Sequence, residues 1–350
     1  MTPNRRITAF PIWPLVLLFF VPMLAALLGC FPKLVESFYT QGWYSLLTRF
    51  LTAFTGLFSF SISELALYAF IASVLAISIH AIQRREWKAH LRWLVRLIAF
   101  GVIWFYVSWG CNYSRPPLEE QLDLPLTPPD SLTLRENVLW SLQTTNALWR
   151  PVQDWNMRSL DQEIESCYHR VFEKLPIKLM PGTRRPKFLL LPALFNFTQT
   201  SGMFGPFFHE VHLNSELLPV ELPFVLAHEK AHQMGFARES EANFLAALVC
   251  LASSDSTINY SGHFALVGRF ANLAMLQFSD GDSLLKTVRP EVKADFKAVR
   301  ERYQKYAGPI SEFSSQTYDA YLKANQIKTG VENYGEVVEL IMRWRQRNRL

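Results

Sequence analysis

Residues 228–243 read "HEKAHQMGFARESEAN": two histidines four apart enclose a glutamate, a glycine follows, and two further carboxylates come after it. Pro223 suits the first turn of a helix, and "PFVLAHEKAHQM" continues that helix without a breaker. On it His228 and His232 lie one turn apart and face the same way, so both imidazoles reach one ion. Glu229 points about 100° aside, beside an ion's water and not at the ion itself. An H-E-x-x-H zinc hydrolase needs this arrangement, with a third protein ligand and a fourth position left to water. Gly235 ends the helix in the left-handed region, the chain reverses, and the next helix starts near Arg238 with Glu239 in its first turn. Glu239 is the expected third ligand. Glu241 is its rival, two residues on and on a different face. Asn243, one turn beyond Glu239, is positioned to hold Glu239 or the second nitrogen of a histidine.

Outward from this motif the chain is uneven. Half of its 350 residues are hydrophobic, and the first third is the most apolar part. The uncharged runs 7–31, 65–82 and 97–114 are each about long enough for a hydrocarbon core of roughly 30 Å. Three transmembrane helices within residues 1–114 are expected. Between the first two, "YSLLTRFLTAFTGLFSF" is apolar but broken by Arg49 and Gly56, which suits an interfacial or re-entrant segment. Arg5 and Arg6 precede the first run, and the loop 83–96 carries Arg84, Arg85, Lys88, Arg92 and Arg96. By the positive-inside rule the amino terminus and this loop are cytoplasmic and everything after Tyr113 is outside, with Trp104, Tyr106, Trp109 and Tyr113 as the outer aromatic belt. The rival is a lipoprotein processing box, "LLGC" ending at Cys30; the length of the run favours an uncleaved anchor. The four cysteines show no metal-binding or redox spacing. The net charge of +5 comes largely from the basic loop and the terminal "RWRQRNRL", which suit a membrane surface; no motif for nucleic acid is present.

Residues 115–130, rich in Pro and acidic groups, read as an exposed linker, and 131–350 as one domain. In it "KFLLLPAL" (187–194) reads as a buried strand and "FFHEVHLN" (207–214) as a second strand, joined by the loop "TSGMFGP". Helical spacing recurs over 131–175, 244–252, 263–278, 291–306, 317–325 and 334–347. The expected fold is mainly α: a helix-rich α+β domain with a small sheet just before the helix of His228.

At these residues the chain resembles the zincin metallopeptidases, and within them the gluzincin type, whose third ligand is a glutamate in an E-x-x-A-D or E-x-x-A-N helix; "ESEAN" fits with Glu239. More widely it resembles the bacterial membrane proteins catalogued as domain of unknown function 3810. That likeness rests on "WGCNYSRPPL" (109–118), "GMFGPFFHEVHLN" (202–214), "HEKAHQMGFARESEANF" (228–244), "INYSGHF" (258–264) and "YLKANQIKTGVENYGEVVEL" (321–340). The resemblance implies a zincin-like domain held in the bacterial inner membrane. It also implies that the strand before the active helix rims the cleft and pairs with extended substrate. Phe208, His209, Glu210 and His212 would lie on that strand, His209 and His212 on one face.

The expected activity is hydrolysis of peptide bonds in extracytoplasmic proteins or peptides. One Zn2+ on His228, His232 and Glu239 would activate water, Glu229 would be the general base, and Tyr260 or His263 would donate to the oxyanion. Two alternatives use the same residues: a catalytically inactive, membrane-tethered binding or assembly module, and an envelope amidase. Beyond the lipid bilayer and the substrate, no partner is implied.

Overall fold

The computed structural model describes residues 13–125, 127–325 and 334–348. Part of the expected first span, residues 7–12, together with Arg5 and Arg6, lies outside them. The membrane-facing part comprises α1 (Trp13–Leu28), a bent segment Pro32–Thr55 that ends in α2 (Ser45–Thr55), then α3 (Ile62–Arg84) and α4 (Trp87–Ser108). Helices α3 and α4 are long and apolar enough to cross a membrane, and α1 with Pro32–Thr55 forms a third candidate bent by 101°. A membrane protein with two or three such helices is the result. The remainder is mainly helical: α5 (Ser131–Leu148), α6 (Met157–Phe172), β1 (Pro186–Phe188), β2 (Gly202–Gly205), β3 (Glu210–Leu213), α7 (Leu222–Gln233), α8 (Glu239–Leu251), α9 (Ser256–Gln277), α10 (Pro290–Lys305), α11 (Pro309–Ala324) and α12 (Tyr334–Asn348).

Helices α7, α8 and α9 pack one on the next, α5 lies on α9, and α6 braces α7 and α8. Beneath α7 the small sheet has the order β1-β3-β2, with β1 parallel and β2 antiparallel to β3. Two differences from the sequence reading follow. The run 187–194 forms strand only to Phe188; Glu64 accepts the Leu190 and Leu191 N–H groups at 2.7 and 2.9 Å, which pulls the chain off the sheet and leaves both leucines exposed. "TSGMFGP" is not a loop, because its centre is β2, and strand "FFHEVHLN" begins only at Glu210.

The stretch 115–130, expected as an exposed linker, is instead largely packed. Leu118, Leu122 and Leu124 are buried in the main core, and the Leu118 N–H donates to Glu241 Oε1 at 2.9 Å. Helices begin where local chemistry allows them. The Asp130, Asn156 and Asp255 carboxylate or amide oxygens cap α5, α6 and α9 by accepting first-turn N–H groups.

A buried polar knot ties the sheet to the first turn of α3. Lys187 Nζ lies 2.5 Å from Glu210 Oε1 and also donates to Thr55 O and Phe60 O; Glu210 accepts from Ser61 Oγ, Ser63 Oγ and the N–H groups of Ile62 and Ser63. Burial pushes the Glu210 carboxyl up, but His212, Lys187 and Ser63 outweigh it and hold the pKa far below the usual range. Because both side chains are at most 2 % exposed, the lost partner has no water to replace it. Lys187→Met is expected to cost about 3 kcal/mol or more, as breaking a buried pair does. The check is thermal unfolding in detergent: a melting temperature equal to wild type would mean that the knot contributes nothing.

Candidate metal centre

His228 and His232 are carried by α7, which Lys230 fixes from its other side: fully buried, its ammonium sits 2.5 Å from Asp161 and 2.6 Å from Glu165 on α6. The helix stops at Gly235, whose φ of +86° suits glycine. A Cβ there would also press on Asn112 Oδ1, Arg115 and the Tyr44 ring at 3.1 to 3.3 Å. After the reversal α8 starts at Glu239, as its sequence suggests.

The turn brings three groups together. His228 Nε2 lies 3.2 Å from Glu239 Oε2 and His232 Nε2 lies 3.3 Å from Glu239 Oε1, and one ligand atom from each residue fits within 4.8 Å of the others. His232 Nδ1 donates to Phe236 O at 2.7 Å, which leaves Nε2 as the atom facing the carboxylate. In a neutral imidazole that places an acceptor against an acceptor, so the contact asks for a cation between them or a proton on the ring. Burial pulls His232 down, yet the Glu239 charge and hydrogen bond win and hold it at about 9. Burial raises Glu239, and the two imidazoles overcome that and carry it well below the carboxylate range. Two histidines and a glutamate are the donor set of a catalytic zinc site, so the residues present fit that metal.

Glu241 does not share the triangle. Its carboxylate accepts from Leu118 N–H and Arg238, both at 2.9 Å, on the far side of α8. Asn243 differs from expectation: its amide donates to the Glu239 main-chain oxygen at 2.8 Å and its oxygen accepts from Arg269, so it holds the backbone of α8 and neither the Glu239 carboxylate nor a histidine.

Glu229 is 5 % exposed, and its side chain lies against β2 at Gly202. Burial raises its pKa, with the two imidazoles opposing. A Cβ on Gly202 would come within 2.7 to 3.0 Å of Glu229 Cγ and Cδ, so this glycine is the space the carboxylate occupies. The strand beside Glu229 is therefore β2. The expected substrate strand, β3, is central and both of its edges are already paired. Asn214 N–H bonds to Ser201 O, which fixes the parity: residues 201, 203 and 205 bond inward to β3, and 202 and 204 point outward. Among the described residues no strand covers that outer edge.

The other residues of the predicted strand are structural. Phe208 and His209 lie in the turn before β3, His209 at a φ of +55° with Nδ1 3.0 Å from Thr48 Oγ1. His212 Nε2 is 2.8 Å from Ser61 Oγ, and Glu210 belongs to the knot with Lys187. His209 and His212 thus share no strand face.

Tyr260 and His263 are not at the triangle either. Both sit inside α9 and not in a loop; the Tyr260 hydroxyl donates to Asp295 at 2.6 Å, and His263 is buried with its ring 5.2 Å from Trp140. Burial, with Arg345 adding to it, lowers His263 to about 4. The hydroxyl that does reach the triangle is Tyr318 of α11, which donates to Glu239 Oε1. Sequence reasoning missed it. The only trace is an aromatic pair three apart, Tyr318 and Tyr321, whose rings stack at 6.1 Å.

These assignments separate by metal analysis of purified protein. His228→Ala and Glu239→Ala are expected to lose zinc, while Glu241→Gln keeps one ion per chain because its carboxylate is engaged with Arg238 and Leu118. Zinc retained by Glu239→Ala and lost by Glu241→Gln would invert the choice of ligand.

No curated protein and no solved structure matches the chain. A family described as "Protein of unknown function (DUF3810)" matches residues 39–342, which runs from α2 into α12 and takes in the whole triangle. By that match, over most of its length, the chain belongs to the DUF3810 family.

Proposed function

We propose that this chain is a membrane-anchored zinc metallopeptidase of the zincin type. Three spans hold it, with the amino terminus and the loop 83–96 cytoplasmic and the domain from about residue 115 onward outside, on the bacterial inner membrane. The observation that carries the reading is the convergence of His228, His232 and Glu239 within 4.8 Å, with Glu229 on the same helix against a free strand edge. A structural zinc site has no need of Glu229.

Zinc bound by the triangle supplies Lewis acidity, bringing water's pKa toward about 7 and polarising a carbonyl. The chain's own groups do the rest. An extended peptide adds to the outer edge of β2, where Gly202 and the Phe204 carbonyl offer main-chain bonds. Gly202 leaves room for the Glu229 carboxylate at that edge, where it takes the proton of the attacking water and delivers it to the leaving amine. Tyr318, at the rim on Glu239, is the donor placed to meet the oxyanion in place of Tyr260 and His263.

Glu229→Gln is expected to keep fold and zinc while hydrolysis of an unfolded protein substrate falls by roughly 10²- to 10⁴-fold. Tyr318→Phe should lose on the order of 10²-fold, the scale of an oxyanion donor. Tyr260→Phe should leave the rate unchanged. If wild type and Glu229→Gln, both holding zinc, gave identical peptide profiles, the chain would be a binding module and no enzyme. For topology, a periplasm-active reporter fused after Leu350 and a cytoplasm-active one near His90 are both expected to give signal, and the inverse pattern would reverse the orientation.

A further inference from the structure

The walls of the metal triangle are seated on the end of a spanning helix. Trp109, which caps α4, lies 6.2 Å from the His232 ring and 4.9 Å from Phe204 of β2. Tyr321 of α11, one turn from Tyr318, packs on Phe105 of α4 at 6.0 Å. The carboxyl end of α7 rests on the segment Pro32–Thr55: Tyr44 Oη donates to Gln233 O at 2.8 Å, and Thr48 meets His209.

That segment is amphipathic with its polarity reversed. Thr40, Tyr44, Thr48, Thr52 and Thr55 are buried against the domain. Phe38, Leu46 and Phe50, at 65 to 74 % exposure, face away from it, with Lys33, Gln41 and Arg49 also exposed. A helix on a water-soluble surface presents the opposite arrangement; one pressed between a protein and hydrocarbon presents this one. Leu190 and Leu191, more than half exposed, continue the apolar surface, and their N–H groups are tied to Glu64 in the first turn of α3. The first turn of α3, the end of α4, the reversed segment and this loop are therefore held together by direct contacts.

We infer that the cleft works at the bilayer surface and that its substrate is a polypeptide anchored in the same membrane, cut within about one helix diameter, roughly 10 Å, of the lipid. This rests on the hydrolytic reading above. A soluble peptide reaches the site only by diffusion along the headgroups, whereas a chain emerging from the bilayer is delivered to the edge of β2.

The test uses the full chain, zinc-loaded, in phosphatidylethanolamine–phosphatidylglycerol liposomes. Two substrates carry the same cleavable sequence and the same transmembrane anchor. One joins them directly, and the other has a semi-rigid helical spacer of about 30 residues, which lifts the bond roughly 45 Å at 1.5 Å per residue. The direct substrate is expected to be cut at least tenfold faster; equal rates overturn the inference and leave the hydrolytic reading intact. An arm without activity places a nitroxide at Phe50→Cys and at Leu191→Cys in a Cys30→Ser background, since Cys30 is the exposed cysteine and the other three are buried. Both labels are expected to relax more with oxygen than with a water-soluble nickel chelate, and the reverse order overturns the membrane seat. Lipid-exposed labels combined with no cleavage of either substrate or of a soluble unfolded protein, zinc being bound, overturn the hydrolytic reading and the substrate with it.

Discussion

At a φ of +86° Gly235 lets the chain leave α7 and return within a few residues, and every group at the centre owes its position to that reversal. It sets the Glu239 carboxylate across from two imidazoles that helix geometry had already aligned. It also sets the close approach of Tyr44, Asn112 and Arg115 from the membrane-facing part of the chain, each within 3.3 Å of where a Cβ would stand. Arg115 is itself buried: it pairs with Glu36 at 2.7 Å and lies with its guanidinium 4.5 Å from the Phe236 ring. The turn at Gly235 is thereby packed against the segment Pro32–Thr55.

This packing explains the failure of a division at residue 114. Tyr113, Leu118 and Leu122 join the same core as α7 and α8, and the knot of Lys187 with Glu210 crosses from the sheet to α3. A tether needs only length, but here the end of α4 supplies Trp109 beside His232 and Phe105 beneath Tyr321, and the start of α3 supplies Glu64 to the loop after β1. The membrane part is an integral side of the domain.

What the sequence made legible was local. The four-residue step from His228 to His232, the glycine that must turn and the carboxylate in the next first turn are all set by contacts within a dozen residues, and helix arithmetic reaches them. The run 44–60, apolar but broken by Arg49 and Gly56, read as interfacial or re-entrant, but which of its faces packs on the domain was not legible in it. Tyr318 was not visible, because its partner Glu239 lies 79 residues away and a lone tyrosine carries no spacing signal. The error over β3 has the same origin. "FFHEVHLN" alternates as a strand should, but whether a strand is central or at an edge depends on β1 and β2, and β2 was concealed by the two glycines that make its sequence read as a loop.

Those glycines bear on what the centre is for. Gly202 sits where any side chain would displace the Glu229 carboxylate, and Gly205 approaches His212, so β2 surrenders side-chain packing at both ends. A glycine in a strand is a cost to stability, and a carboxylate only 5 % exposed is another. Neither is needed to close the core, since an apolar residue at position 229 over an alanine at 202 would fill the same space at lower cost. Together they leave an acid standing between the imidazoles of α7 and the outer edge of β2. The same economy separates Glu229 from Glu210, equally buried but surrounded by Lys187 and four donors. Glu210 is fully engaged in holding the sheet to α3, whereas Glu229 has no ion pair with a lysine or arginine, and burial raises its pKa.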